Sequence, residues 1–341
     1  MSLFERVRIV KPLKFSIAIA LAMTPLLASC GNPKPLEDKS RDTAYSSFKG
    51  RTVAFLPILF ANDLAQGWYA GMKSELEPLG VRLEVRDANL STSVGAQAFT
   101  RLIIEKPDVI VVQNPDLSAY VRLIQRAERE GIHVIQVNMQ SSAGSAGFVG
   151  PDWVEIGRRQ ANAAIDACKA RSGKIAIVQG SLTSAANAYS MQGIRAVLQG
   201  HPGIKIVSNQ AAEWDTSKAK SITQAVLRQN PDLCAVLGSY DGMDLGEAAA
   251  IKEAGLTGKV ALITSGGGSR QGACDQVKNG TFTTYFAYDV PTQAQQINTI
   301  VKLLLSSGAK PGTLKSVTYT PLRRITASSA DQPGMCWSQI Y

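Results

Sequence analysis

From Thr52 onward, short apolar runs rich in Val and Ile alternate with stretches whose apolar residues recur every three to four positions. The first pattern predicts strands and the second amphipathic helices. Strands are expected at 52–57, 81–86, 109–113 and 133–138, with helices at 67–77, 93–105 and 117–130 between them. After Gly150-Pro151 the cycle restarts, with strands at 174–179, 204–208, 235–239, 260–264 and 281–287. Helices are expected at 154–170, 188–198, 217–228, 244–254 and 270–278, then a last helix at 292–306 and a strand at 316–320. Continuous rather than alternating apolar strands are buried on both faces, as in parallel sheets covered by helices. Two such sets are too many strands for one sheet of ordinary width, so the chain is expected to be α/β with two doubly wound parallel-sheet lobes.

The amino terminus departs from this pattern. Arg6, Arg8, Lys11 and Lys14 precede an apolar run at 15–27, and the small residues Ala28-Ser29 stand before Cys30. The run is shorter than the roughly 20 residues of a spanning helix and is flanked as an export signal is. Leu27-Ala28-Ser29-Cys30 resembles a bacterial lipoprotein signal, which implies cleavage after residue 29, lipidation of Cys30 and a life outside the cytoplasm, anchored to a membrane. Residues 30–47, opening with Gly31-Asn32-Pro33-Lys34-Pro35, are polar and charged and read as a flexible tether.

Composition narrows the function. The net charge of +9 includes +3 from residues 1–29, and the remaining basic residues are scattered, without a block interleaved with aromatics. A nucleic-acid partner is therefore not expected. With Cys30 lipidated, four cysteines remain, and none shows a CxxC spacing, so disulfides or buried thiols are the readings and metal ligation is not. No GxxxxGK[ST], HExxH or GxSxG occurs, and both histidines, His133 and His201, fall where a structural role is expected. The chain is read as a non-enzyme without a cofactor.

In open α/β sheets, ligands sit at the carboxyl ends of the strands. The residues expected there are 60–63, Asn114, Asn138-Met139, 182–189, Tyr240-Asp241, 265–268 and Tyr288-Asp289. This set of amides, carboxylates and aromatics suits a neutral polyhydroxylated ligand, because amides and carboxylates pair with hydroxyls and aromatic faces cover C–H surfaces.

Several segments, in order and spacing, resemble the periplasmic sugar-binding proteins of the ribose-binding type. They are Gly67-Trp68-Tyr69-Ala70-Gly71-Met72-Lys73, 107–115, 131–135, Gly150-Pro151-Asp152, Thr183-Ser184-Ala185-Ala186, Asn230-Pro231-Asp232 and Tyr240-Asp241-Gly242-Met243. The resemblance implies a type I periplasmic-binding-protein fold with three hinge crossovers, here near Gly150, Val290 and Pro321. Lobe 1 would be 48–150 with 290–320, and lobe 2 would be 151–289 with 321–341. It also implies a monomeric receptor that closes on a small ligand and hands it to an ABC permease in the inner membrane. A sensory module for a membrane histidine kinase or chemoreceptor is the alternative.

Carried over by position, Asn62 and Asn114 would hydrogen-bond ligand hydroxyls, and Asp289 would be a hinge residue reaching the ligand. Other positions depart from the family. Asn138-Met139 replace an Asp-Arg pair, Asn187 and Tyr189 stand near a missing arginine, Tyr240 replaces an asparagine, and Gly266 replaces an aspartate. Asp152 and Trp153 lie at the first crossover, where Trp153 offers a stacking face; Trp68 and Tyr69 read mainly as helix packing. These changes remove charge and add apolar surface, which disfavours ribose and favours a deoxy sugar, cyclitol or other polyol, or an aromatic-bearing compound. Cys168 and Cys234 would meet at the end of lobe 2 away from the cleft, and Cys274 would pair with Cys336.

Overall fold

The computed structural model describes residues 45–338. The signal segment and Cys30 lie outside them, as does most of the tether, whose last residues enter a helical turn at 45–48. Two six-stranded sheets form the body. The first has the order β11-β5-β4-β3-β1-β2 and the second β12-β10-β9-β8-β6-β7. In the first, β1 (Thr52–Leu56), β2 (Arg82–Val85), β3 (Val109–Val112), β4 (His133–Val137) and β5 (Gly147–Gly150) are joined by β11 (Ser316–Tyr319), all parallel. In the second, β6 (Lys174–Gln179), β7 (Lys205–Ala211), β8 (Ala235–Gly238), β9 (Ala261–Gly266) and β10 (Thr284–Ala287) are parallel, and β12 (Arg323–Ile325) pairs antiparallel with β10.

Helices cover both faces of each sheet: α1 (Asp63–Leu76), α2 (Thr92–Glu105), α3 (Val121–Arg129), α4 (Trp153–Cys168), α5 (Ala185–Leu198), α6 (Thr216–Gln229), α7 (Asp241–Glu253), α8 (Asp275–Lys278) and α9 (Val290–Ser307). Among the described residues the apolar side chains form four clusters around the two sheets, and the largest runs from the first sheet through Trp153, Ile156, Ala185 and Ala186 onto α4 and α5. The chain is thus α/β with two doubly wound, parallel-dominated sheets, as the apolar pattern predicts.

The helices start where polar caps allow. Asn62, Ser91, Asp152, Ser184 and Asp215 each accept from a backbone N–H three residues on, opening α1, α2, α4, α5 and α6. This cap moves the start of α1 to Asp63, ahead of the expected residue 67, and α5 likewise begins at Ala185 rather than 188. Because these helices follow strands, their amino termini gather at the carboxyl ends of the sheets.

Two strands were not expected from the pattern. β5 reads Gly-Phe-Val-Gly, too short for an apolar run, and β12 reads Arg-Arg-Ile with a single buried side chain. Both are edge additions whose pairing partners, β4 with β11 and β10, define them.

The chain passes between the sheets three times: after Gly150, after Ala287 and after Tyr319. Thr320 ties these passages together. Its N–H donates to Gly150 O at 2.9 Å and its hydroxyl to Tyr288 O at 2.9 Å, while Gln293 Nε2 donates to both Thr320 Oγ1 and Tyr288 O at 3.1 Å. Gln293 in turn accepts from Trp68 Nε1 at 2.7 Å, which places Trp68 in the core of the first sheet rather than at a ligand.

Both expected disulfides are present. Cys168–Cys234 joins the end of α4 to the residue before β8 (Cα–Cα 5.5 Å), made possible because β8 is the direct neighbour of β6. Cys274–Cys336 (Cα–Cα 6.1 Å) holds the carboxyl-terminal segment, and Trp337 Nε1 donates to Gly267 O at 2.8 Å. Bridges closing separations of 66 and 62 residues each contribute about 2–4 kcal/mol, as is typical of disulfides. No helix among the described residues is long and apolar enough to cross a membrane.

Candidate functional site

A cavity opens where the carboxyl ends of the two sheets face each other, with about 600 Å³ of empty space, part of it continuous with solvent. Ile58, Leu59 and Gln113 reach it from β1 and β3, Asn62 and Leu64 from α1, and Asn138 and Met139 from β4. The other sheet contributes Trp214, Ser239 and Tyr240, with Ala186 from α5; Trp153 and Tyr288 come from the crossovers. Aromatic rings make much of the wall. Trp153 and Tyr288 meet edge to face at 5.1 Å, and Trp214 and Tyr240 do so at 6.5 Å. Among the described residues, no carboxylate, guanidinium or ammonium group lines this cavity.

Behind Trp153, Ala186 and Ser239 lies a smaller chamber with about 330 Å³ of empty space, inside the second sheet's half. It is more polar, with Gln160, Gln179, Asn187, Ser190, Ser239 and Ser265 on its walls.

The side chains are held by local geometry. Asn138 sits in the left-handed region (φ 62), which turns the chain sharply after β4, and its carbonyl accepts from Trp153 Nε1 at 2.8 Å. That contact fixes the indole across the cavity. Glu213 and Trp214 are both left-handed (φ 55 and 65), and a Cβ added at Gly180 would lie 2.1 Å from the Trp214 ring. Trp214 therefore reaches the cavity only because residue 180 is glycine and the backbone accepts two uncommon conformations in succession.

Carboxylates lie just outside the lining. A Cβ at Gly266 would meet Tyr285 Oη at 2.2 Å and Asp241 Oδ2 at 2.4 Å, so the absent side chain makes room for a Tyr285–Asp241 hydrogen bond of 2.5 Å. Burial, with the charge of Asp63 next, drives the Asp241 carboxyl far above the ordinary range. Burial also raises the phenols of Tyr240, Tyr285 and Tyr288, which keeps them neutral. Deeper in α7, Asp244 accepts from Thr264 Oγ1 at 2.5 Å, while Asp244 Oδ1 and both Glu247 oxygens meet no N–H or O–H donor from other groups. A protonated carboxyl lets the two groups hydrogen-bond to each other, one oxygen from each. Accordingly burial pushes Asp244 up to about 7, and burial plus the charge of Asp244 pushes Glu247 well above the ordinary glutamate value.

The structure brings Asn62, Asn138, Met139, Trp153 and Tyr240 to the main cavity and Asn187 to the smaller chamber. Gly266 stands one layer behind, beside Asp241. The other expected residues point elsewhere. Asn114 is fully buried, its amide donating to Gln136 Oε1 and Met139 O at 2.8 and 2.9 Å, and so braces the β4 turn from beneath. Asp152 caps α4, and Tyr189 packs against the apolar cluster that includes Trp153 and Ala186 without lining either cavity. Asp289, left-handed at φ 59, pairs with Arg323 Nη2 at 2.6 Å and is buried at a crossover. Asp241 is the first residue of α7, and Tyr240 holds the cap position. Trp214 was the main omission: it lies in a polar loop with no periodic signal, and only Gly180 places it. Among the described residues no group of three or more His, Cys, Asp or Glu could hold a metal ion.

With this architecture in view, the comparisons are direct. Residues 53–310 match the family model for the periplasmic binding protein domain. The D-allose-binding periplasmic protein of Escherichia coli is 31% identical over 232 residues, covering 65% of this chain and 75% of that protein. The D-ribose/D-allose-binding protein of Pseudomonas aeruginosa is 27% identical over 315 residues, covering 89% and 96%. Among solved structures, an ABC transporter solute binding protein from Actinobacillus succinogenes with bound D-allose superimposes with a TM-score of 0.72 at 23% identity, covering 82% of this chain and 99% of that one. The chain belongs to the periplasmic binding proteins, in the ribose-binding group, with the type I fold.

Proposed function

We propose that this chain is an extracytoplasmic solute receptor that closes its two lobes on a small neutral sugar-like ligand and delivers it to an ABC importer. The lobes are 48–150 with 290–320 and 151–289 with 321–341, hinged at the three passages that Thr320 joins. The observation that carries the reading is the cavity itself: it lies at the facing strand ends, walled by aromatics and amides and free of charged groups. Such a wall holds an uncharged ligand through ring faces and hydrogen bonds, and closure adds affinity by excluding water. The family is one of binding receptors, and the receptor is proposed to release its ligand chemically unchanged. Removal of residues 1–29 and lipidation of Cys30 would keep the monomeric receptor beside the permease.

The reading is tested by native mass spectrometry of the mature protein to identify a co-purifying ligand, followed by X-ray scattering with and without it. The expected result is a bound neutral sugar or polyol and a smaller radius of gyration with ligand. A charged ligand, or an identical scattering curve in both states, would overturn it. Stimulation of ATP hydrolysis by a reconstituted importer supports transport, and docking on a histidine kinase instead would identify a sensor. For the anchor, Cys30→Ser should move the protein from the membrane fraction to the soluble periplasmic fraction.

A further inference from the structure

Trp337 belongs to one half of the molecule by its backbone and to the other by its ring. Ala330, Met335 and Cys336 pack on the apolar cluster of the second sheet, with Val260, Ala273 and Phe282. The next residue, Trp337, packs instead on the cluster that holds Leu64, Trp68 and Val290. Its tip lies against α1: a Cβ added at Gly67 would stand 2.9 Å from Trp337 Cη2, so the glycine lets the ring come this close.

The tie to the second half is firm. Cys336 is bonded to Cys274, Trp337 N–H donates to Gly268 O at 3.1 Å, Arg270 N–H donates to Trp337 O at 2.7 Å, and the indole Nε1 donates to Gly267 O at 2.8 Å. These anchors all lie within residues 267–274, the segment that follows β9. Against α1 the ring is held by apolar packing. The same segment meets α1 elsewhere too: Ser269 Oγ donates to Asp63 Oδ2 at 2.8 Å, and a Cβ at Gly267 would lie 2.8 Å from Leu64 Cδ2. Leu117 N–H also donates to Thr183 O at 3.1 Å, so the halves touch at separate points and the arrangement is a closed one.

From this division we infer that Trp337 is a positioning residue for closure: a ring strapped to lobe 2 that seats on Gly67 of lobe 1 only when the lobes are together, and so adds to ligand affinity. The inference rests on the proposed receptor function and adds to it a residue that lines neither cavity. A change of the angle between the lobes must break the weaker of the ring's two attachments, and a disulfide backed by hydrogen bonds outlasts a packing contact. Opening therefore uncovers the ring and the face of α1 around Gly67, which costs free energy in proportion to the apolar area exposed. An interaction made in the closed form alone counts in full toward a ligand that selects that form. Gly67 lies on the same helix as Leu64, which lines the main cavity, so the seated ring also steadies that part of the wall.

The test is calorimetry on the mature full chain with D-allose, D-ribose, xylitol and myo-inositol as probes, with X-ray scattering to follow closure. For a probe that closes the unmodified protein, Trp337→Ala should bind about fourfold or more weakly, the effect of uncovering the surface of one methylene. Trp337→Phe keeps a ring and gives up the Nε1 bond, so it should recover most of the loss. Trp337→Leu, which lacks the far ring of the indole, should weaken binding in the same direction and serves if the alanine variant fails to fold. Unchanged affinity in the folded variants, whatever their melting temperatures, would make the tail a stabilising part of lobe 2 alone; that overturns the inference and leaves the receptor reading standing. A phenylalanine variant as weak as the alanine one would also overturn it. No binding and no change in scattering with any of the probes would sink both.

Discussion

Thr320 Oγ1 donates a 2.9 Å hydrogen bond to the carbonyl of Tyr288, a residue that lines the main cavity. The passages between the sheets and the candidate site thus share a residue pair. Thr320→Val keeps the shape and removes the donor, which should lower unfolding stability by about 1–3 kcal/mol. Because the Tyr288 carbonyl then keeps Gln293 Nε2 as its one side-chain donor, the ring is held less firmly and ligand affinity should fall several-fold. Urea unfolding and calorimetry on the same variant check both, and an unchanged midpoint with unchanged affinity would contradict the coupling.

A second link crosses between the halves directly. Ser269 Oγ, after β9, donates to Asp63 Oδ2 on α1 at 2.8 Å. In a hinged receptor this bond exists only when the lobes are together. Asp63→Ala removes a hydrogen bond to a charged group, worth about 1.5–3 kcal/mol, and should weaken ligand binding by roughly tenfold or more although Asp63 does not line the cavity. The loss of its favourable charge in the first turn of α1 affects open and closed forms alike, so it lowers stability without adding to the affinity change. Calorimetry separates the effects, and unaltered affinity would show that the bond persists on opening.

Gly180→Ala tests the placement of Trp214. The added Cβ would lie 2.1 Å from the indole, which must leave the cavity wall. Ligand affinity should drop at least tenfold, with a red-shifted tryptophan emission as the ring meets water. Retained affinity would remove Trp214 from the site.

The Asp244–Glu247 pair sets a pH dependence whose sign follows from linkage. Both carboxyls keep protons to higher pH when folded than the ordinary value of about 4, with Asp244 pushed up to about 7 and Glu247 well above normal. Between those values the unfolded chain has released protons that the folded chain still holds, so stability falls as pH rises, by up to about 1.4 kcal/mol per pH unit for each retained proton. The melting temperature should decline from pH 5 to pH 8, and Glu247→Gln, whose amide can donate to Asp244 Oδ1, should flatten that decline. A melting temperature that rises across this window would contradict a protonated pair.

The strands and helices that carry the fold were readable because burial on both faces leaves an uninterrupted apolar run, as in Val109–Val112 and Ala235–Gly238. β5 and β12 were not, since a two-residue apolar core and a single buried Ile325 carry no period. At the cavity, Asn138, Met139 and Trp153 were legible from their positions after β4 and at the start of α4. Asn114 and Asp289 have the same local setting but face inward and toward Arg323, a choice made by neighbours distant in sequence.

The sequence by itself determined the α/β alternation, the duplication into two strand sets, and the polar caps that gather helix amino termini at one end. These follow from periodicity and short-range chemistry, which the chain carries locally. Only the tertiary structure decided which strand-end side chains look into the cavity, because that depends on contacts between segments far apart: Gly180 under Trp214, Tyr285 on Asp241 in the space left by Gly266. It also decided which end of each amide meets a backbone donor. A side-chain amide reads the same in either orientation until a backbone N–H such as that of Ile58 or Gly180 claims its oxygen.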